Sequence, residues 1–137
     1  MKSVLLITLI FTFNTWCYSQ EVNDLTFECL DDPRAGGKVF QPEIFSDSLQ
    51  MSIKTHGPCK AQLDVKVIKL SGGSVIGFEV TDNATVYKGG KLKCGCHYRL
   101  QFTVLNYNHP SNFKGWTISN KTVPRKIWEE WYWNSLD

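Results

Sequence analysis

The clearest alternation of apolar and polar residues runs from position 98 to position 104. The apolar positions are Tyr98, Leu100, Phe102 and Val104, and the polar ones between them are Arg99, Gln101 and Thr103. A period of two with aromatic and branched residues predicts a strand with one buried face. Six further runs predict strands at 25–30, 49–54, 61–70, 74–80, 84–88 and 115–124. Seven short strands separated by turn-forming residues predict an all-β fold, a two-sheet antiparallel sandwich.

The C-terminal tail, 125–137, has a different period. Its apolar residues recur with helical spacing at Ile127, Trp128, Trp131 and Tyr132, opposite two glutamates. This pattern predicts a short helix that folds back over an edge or face of the sandwich. A second interpretation is a protein-docking surface made by Trp128, Trp131, Tyr132 and Trp133, since Trp and Tyr are favoured interface anchors. Insertion at a bilayer interface is a third, which the glutamates disfavour on anionic membranes.

The beginning of the chain has the pattern of a secretory signal peptide. Lys2 precedes an apolar run at 4–13, and small residues stand at Cys17 and Ser19. A membrane anchor would need roughly 20 apolar residues, whereas Asn14 interrupts this run. Residues 1–19 are therefore predicted to be removed, which leaves a β-sandwich domain at 20–124 and the tail. The predicted location is extracellular, with no transmembrane segment in the mature chain.

The composition of the mature chain favours one small domain and disfavours nucleic-acid binding. Removing 19 of the 137 residues leaves 118, enough for one core. Lys2 is the only charge removed, so 14 basic residues remain against 13 acidic ones. Nucleic-acid binders usually carry a concentrated basic patch, and a net charge of +1 argues against one. The small basic cluster at 88–93 is interpreted as a solvated turn rather than a heparin site.

Four cysteines follow the predicted cleavage site: Cys29, Cys59, Cys94 and Cys96. An even number in a secreted chain predicts disulfides, with three possible pairings. A zinc site is disfavoured because C-x-C-H lacks the usual gap between thiolate ligands. Two sequons, at Asn83 and Asn120, predict N-glycosylation in a eukaryotic secretory pathway.

Two segments resemble the fibronectin type III family, over about residues 46–124. Leu92, Gly95 and Tyr98 match a Leu-x-Pro-Gly-x-x-Tyr turn, with Cys94 in place of proline. The run 46–53 is similar to that family's second strand, with Ile53 in place of tryptophan. The resemblance implies that the Tyr98 hydroxyl bonds the backbone a few residues upstream, as a tyrosine corner. It also implies a function in extracellular protein recognition.

The same resemblance implies a disulfide pattern. It places Cys59 at one end of the sandwich and the turn with Cys94 and Cys96 at the other, about 20 Å away. Bridged Cα atoms lie within about 7 Å of each other. We therefore expect no bridge from Cys59 to either residue, and favour Cys29 with Cys94 or Cys96. This expectation leaves Cys59 without a partner.

The chain has no recognisable catalytic motif. Its three histidines, His56, His97 and His109, are far apart in sequence, and no nucleophile elbow, zincin helix or phosphate loop is present. We therefore predict no enzymatic activity, no cofactor and no metal. The predicted function is a secreted, glycosylated, single-domain binding protein that recognises an extracellular protein. The alternative is a small β-sandwich that binds lipid or carbohydrate, with Trp116 and the tail tryptophans stacking on sugar.

Overall fold

The computed structural model describes residues 20–30, 32, 37–84 and 89–136. The predicted signal peptide, 1–19, lies outside these residues. The strands are β1 (Val22–Leu30), β2 (Phe40–Ile44), β3 (Ser48–Pro58), β4 (Leu63–Leu70), β5 (Val75–Asp82), β6 (Gly95–Leu105) and β7 (Gly115–Asn120). One helix, α1 (Arg125–Ser135), follows them.

The strands form two sheets, which confirms the all-β sandwich. The first has the order β1-β6-β3-β2, and the second has the order β4-β5-β7. All pairs are antiparallel except β5 with β7, which is parallel. The prediction of antiparallel pairs only was wrong at this point, because the chain crosses from β6 to the other sheet and returns in the direction of β5.

The core lies between the two sheets and is formed by the predicted alternating positions. From β6 it takes Tyr98, Leu100, Phe102 and Val104, from β3 Leu49, Met51 and Ile53, and from β5 Ile76, Phe78 and Val80. The Phe78 and Phe102 rings meet edge to face across the sheets at 5.4 Å. Apolar alternation therefore identified the inner faces of these strands correctly.

The strand predicted at 84–88 lies outside the described residues except for Ala84, which is in a bend. The described chain has a further strand, β2, whose five residues pair with β3. β2 contains Pro42, which suits an edge strand because proline cannot donate to a second neighbour. A short strand with a central proline gives no alternation signal, so the sequence pattern missed it.

The Tyr98 ring is buried and its hydroxyl bonds the backbone, but not at the predicted place. The hydroxyl donates to the Pro58 carbonyl at 2.7 Å, 40 residues earlier in the chain. It also accepts from the Ala61 amide at 3.4 Å. The expected bond a few residues upstream was wrong, because the end of β3 lies beside the start of β6.

Two disulfides join the same end of the four-stranded sheet. Cys29 pairs with Cys96, with Cα atoms 5.7 Å apart, which is one of the two favoured bridges. Cys59 pairs with Cys94, with Cα atoms 5.4 Å apart, so the prediction that these two would not pair was wrong. β3 and β6 are antiparallel neighbours with Pro58 opposite Gly95. The end of β3 and the start of β6 therefore meet at one end of the sandwich rather than at opposite ends.

Candidate functional site

The four-stranded sheet turns its polar residues away from the core, and this surface is called the outer face. Side chains opposite each other on β1, β6, β3 and β2 form rows across it. One row is Thr26, Gln101, Ser52 and Gln41, and the next is Asn23, Thr103, Gln50 and Glu43. Towards the disulfide end follow Glu28, Arg99 and Lys54, and then His97 and His56. Along the outer face towards the disulfide end, the side chains are therefore first mainly amides and hydroxyls, then charged groups, and finally imidazoles.

Helix α1 covers the imidazole end of the outer face. Trp128 is only 6% exposed and stacks on the His56 ring, with centroids 4.8 Å apart and planes at 16°. The same indole meets His97 edge to face at 5.0 Å. Tyr132, one turn later, contacts His97 at 5.3 Å. These ring contacts attach the helix to β3 and β6.

Helix α1 is stabilised by packing against the sheet rather than by capping of its N-terminus. Pro124 stands at its N-cap without a side-chain hydrogen bond, and the first turn contains no acidic residue. The ion pair Arg125–Glu129, at 2.7 Å, is solvent-exposed and contributes little. An eleven-residue helix is marginal on its own in water. Burial of Trp128 is therefore the main stabilising contribution that the contacts show.

Gly95 makes the close approach of the helix possible. A Cβ built at this residue would lie 2.7 Å from Cε3 of Trp131 and would also overlap the Trp128 ring. Real Cβ atoms essentially never approach other heavy atoms so closely. The sequence pattern marked Gly95 only as a turn residue, and its packing role could not be read from the local motif.

Both histidines under the helix are shifted towards the neutral form. Burial lowers the pKa of His56, with smaller effects from His97 and Arg125, while a hydrogen bond with the Val123 backbone acts in the opposite direction. Burial also lowers the pKa of His97, and the nearby Lys54 charge adds to this. Within the described chain, the Nε2 atoms of both rings are buried without a hydrogen-bond partner. A proton on either ring would therefore add an unsolvated charge at the helix contact.

The predicted docking residues separate into packed and exposed ones. Trp128 is buried, and Trp131 and Tyr132 are half-buried, as expected for a tail that folds back on a sheet face. Trp133 is 66% exposed, and Leu136, which the sequence pattern did not single out, is 59% exposed. Leu136 directly follows the helix, and its amide donates to the Trp133 carbonyl at 3.4 Å, so the two lie close together at the C-terminal end of α1. The tail therefore packs on the four-stranded sheet through Trp128 and leaves two apolar side chains, Trp133 and Leu136, exposed to solvent.

The two sequon asparagines differ in their surroundings. The Asn120 Nδ2 atom donates to Thr55 Oγ1 and to the His56 carbonyl, each at 2.7 Å. Its Oδ1 accepts from the amide and the hydroxyl of Thr122 at 2.9 and 2.6 Å. Asn120 thereby joins β7 to the part of β3 that extends beyond its pairing with β2. Asn83 is exposed, beyond the end of β5.

Trp116 is half-buried against the core, so it forms no open platform for a sugar ring. Its indole stacks on Phe78 at 5.9 Å and contacts Phe113 at 4.7 Å. His109 lies in this second aromatic cluster, and Tyr107 and His109 Nδ1 share a hydrogen bond of 2.8 Å. The fold therefore brings His56 and His97 together under helix α1 and places His109 in the separate cluster with Trp116.

The chain matches no protein-family model, no curated protein and no solved structure. The resemblance to fibronectin type III domains stays a prediction, and inference about function relies on geometry. Across residues 20–30, 32, 37–84 and 89–136, no helix is long and apolar enough to cross a membrane. The same residues contain no group of three or more His, Cys, Asp or Glu side chains that could hold a metal ion.

The half of the outer face beyond helix α1 forms a cleft of about 550 Å³. Its neutral polar lining consists of Thr26, Gln41, Gln50, Ser52, Gln101 and Thr103. Asp24 and Glu43 line it from the two edge strands, β1 and β2. We call this surface the amide cleft. Period-two alternation predicted that the β3 and β6 members face solvent, but it did not predict that four strands would align them.

Proposed function

We propose that the mature chain is a secreted recognition protein without enzymatic activity, which binds an extracellular protein through helix α1. The observation that carries the proposal is the exposed pair formed by Trp133, in helix α1, and Leu136, directly after it. Other aromatic residues fix this helix to the sheet. Large aromatic residues are the commonest energetic anchors of protein interfaces. A tryptophan two-thirds exposed has much of its apolar surface available to a partner.

The contacts beneath the helix support this interpretation, because they hold the exposed pair in a defined position. Trp128 lies against His56 and His97, and Tyr132 packs edge to face on Trp133 at 5.4 Å. A side chain that is ordered before binding loses less conformational entropy when the complex forms. The helix therefore presents Trp133 at a lower entropic cost than a flexible tail would.

A small recess of about 170 Å³ lies between helix α1 and residues 91–92. It is lined by Lys91, Leu92, Ile127, Glu130, Trp131 and Asn134, so it opens on a different side of the helix from Trp133. Its size suits one inserted side chain of a partner.

The disulfides support an extracellular location. Structural disulfides persist in oxidising compartments and are rare in the cytosol. The bridges Cys29–Cys96 and Cys59–Cys94 use all four cysteines that follow the predicted cleavage site. This pairing agrees with the secretion that the N-terminal pattern predicts.

The two carboxylates of the amide cleft come from strands that are not neighbours. Asp24 and Glu43 lie on the outermost strands of the sheet, whose backbones are three strand spacings or roughly 14 Å apart. Binding of lipid in the interior is disfavoured, because Phe78 and Leu100 are fully buried and the inner faces interlock.

The test is a binding screen of the labelled secreted chain against purified extracellular domains of membrane and matrix proteins. For any partner found, Trp133→Ala with Leu136→Ala is expected to weaken binding at least tenfold, since hot-spot truncations cost about 2 kcal/mol or more. Leu70→Ala is the matched control, because Leu70 is 41% exposed on the other sheet. Surface truncations of this kind change the free energy of unfolding by about 0.5 kcal/mol or less. Unchanged affinity in the double variant, or an equal loss in Leu70→Ala, would contradict the proposal.

A further inference from the structure

The amide cleft is lined mainly by neutral polar side chains, whereas the exposed pair at the end of helix α1 is apolar. Its two inner strands contribute Gln50, Ser52, Gln101 and Thr103, and Met51 and Phe102 between them point into the core. Glutamine offers a donor and an acceptor on one planar group, and each hydroxyl offers both functions on one atom. The cleft therefore contains many neutral hydrogen-bond donors and acceptors close together.

The regular spacing of the sheet orders these groups. Thr26, Gln101 and Ser52 stand opposite one another on adjacent strands, about 4.8 Å apart, and Gln41 completes the row. The row with Gln50 and Thr103 lies two residues along, at about 6.7 Å. Two parallel rows about 14 Å long fit an extended ligand that repeats the same polar groups along its length.

The charges around the amide cleft restrict the class of ligand. The described residues that line it include two carboxylates, Asp24 and Glu43, and no lysine, arginine or histidine. Nucleic acids and phosphorylated ligands require cationic groups for affinity. Sulfated or sialylated sugars would meet like charge at both edges. The ligand is therefore neutral or cationic.

The lining also disfavours a protein or a lipid in this cleft. Its described residues include no exposed aromatic or arginine side chain of the kind that anchors protein interfaces. They also form no continuous apolar floor for an acyl chain, because Met51 and Phe102 are buried in the core and Pro42, on the edge strand, is their one exposed apolar residue. A ligand rich in hydroxyl groups satisfies these amides, hydroxyls and carboxylates best, since each of its hydroxyls can donate and accept.

The backbone of β1 aims one carboxylate at the cleft. The register of β1 with β6 shifts between Asn23 and Thr26, which marks a bulge. Asp24 within it has a φ of 53°, in the left-handed region. Bulges are over-represented beside binding and active sites because they redirect a side chain. Here the bulge places Asp24 at the cleft edge, across from Glu43 on β2.

We propose that the amide cleft is a carbohydrate-binding site for a neutral oligosaccharide that lies across the strands. Gln50, Gln101 and Ser52 bond the hydroxyls of the central sugar units, and Asp24 and Glu43 accept from hydroxyls at the two ends. Because Phe102, the aromatic residue among the described lining residues, is buried in the core, affinity depends on hydrogen bonds and is modest. This site is separate from the exposed pair on helix α1, so protein and sugar can bind together.

The experiment is a nuclear magnetic resonance titration of the isotopically labelled secreted chain. The probes are cellohexaose, laminarihexaose, mannohexaose and chitohexaose, and a heparin hexasaccharide tests anionic sugar. At least one neutral probe is expected to shift the side-chain amide signals of Gln50 and Gln101, and heparin is expected to leave them unchanged. Shifts with heparin at this face, or no shift with any of the four neutral probes, would overturn the proposal.

Variants separate specific binding from general effects. Gln50→Ala with Gln101→Ala is expected to weaken binding of the active probe about tenfold, while the amide spectrum stays that of a folded protein. Both side chains are exposed, so the substitutions leave the core intact. Gln62→Ala is the matched control, since Gln62 is exposed in the connection between β3 and β4, away from the cleft. An equal loss in Gln62→Ala would also overturn the assignment.

Discussion

The Trp128 indole occupies the space that a side chain at Gly95 would need. Gly95 is the first residue of β6 and Trp128 lies in the first turns of α1, so this contact joins the C-terminal helix to the disulfide end of the four-stranded sheet. The absence of a Cβ allows the rings of Trp128 and Trp131 to lie directly on the backbone of β6. The position of the helix therefore depends on one glycine 33 residues earlier.

Gly95→Ala is expected to displace helix α1 while the two sheets remain. The methyl group would lie 2.7 Å from a Trp131 ring atom, and overpacking of this kind costs typically 1–3 kcal/mol. Near-ultraviolet circular dichroism and tryptophan fluorescence would report the movement of the indoles. Gly115→Ala is the control, because a Cβ there meets no atom within 4 Å. If both variants leave the tryptophan signals unchanged, the helix does not pack as described.

Removal of either disulfide is expected to destabilise the protein. The bridges span 67 residues for Cys29–Cys96 and 35 for Cys59–Cys94, and loops of this size give about 4 kcal/mol in the chain-entropy model. Paired Cys→Ser variants, unfolded in urea, measure the loss for each bridge. Peptide mapping under non-reducing conditions should first show a Cys59–Cys94 linkage. A peptide that joins Cys59 to Cys29 would be inconsistent with the β3–β6 register.

The helix contact is expected to weaken in mild acid. Burial lowers the pKa of His56 and His97 below their ordinary value of 6.5, so the unfolded chain binds protons more readily than the folded one. The contribution is complete above about pH 6.5 and is lost as the pH falls through and below that value. Arg125 and Lys54 add repulsion once the rings are charged, and Glu129 partly offsets it.

The measurement is the melting temperature and the tryptophan fluorescence between pH 7.5 and pH 5. The double variant His56→Gln, His97→Gln should lose most of the pH dependence of the fluorescence. His109→Gln, which alters the histidine outside the contact, should retain it. Equal pH profiles for the wild type and the double variant would rule out these two rings as the source.

If the chain enters a eukaryotic secretory pathway, Asn83 is expected to carry the glycan and Asn120 to remain free. The Asn120 nitrogen that would accept the sugar donates instead to Thr55 and to the His56 carbonyl. Asn83 is exposed, so a glycan there meets solvent. Glycopeptide mass spectrometry of the secreted chain measures both sites. A glycan at Asn120 on folded, disulfide-bonded protein would contradict the described hydrogen bonds.

The inner faces were predictable from sequence, because burial imposes period-two alternation on a strand with one wet face. Tyr98 through Val104 and Leu49 through Ile53 needed no further information. Alternation assigns residues to a face of a strand, however, and it does not say which strands are neighbours. The position of Cys59 beside Cys94 depends on β3 pairing with β6, a relationship between distant segments.

The candidate sites needed the tertiary structure to different degrees. The aromatic stripe of the tail predicted a helix, but which of its rings would be exposed depended on the place where Trp128 meets the outer face. The amide cleft depends on register across four strands, one of which has a central Pro42 and no alternation signal. Gly95 illustrates the same limit, since its packing partners lie in a distant helix.

The most direct test of the account is the nuclear Overhauser spectrum of the folded, secreted chain at neutral pH. We expect cross-peaks from the Trp128 ring to the rings of His56 and His97 and to the Gly95 α-protons, because these groups are in contact. We also expect that Trp133 shows no contact with either histidine. A spectrum in which the Trp128 ring contacts neither histidine, or in which Trp133 takes its place, would contradict a helix α1 that is fixed on the sheet with Trp133 exposed.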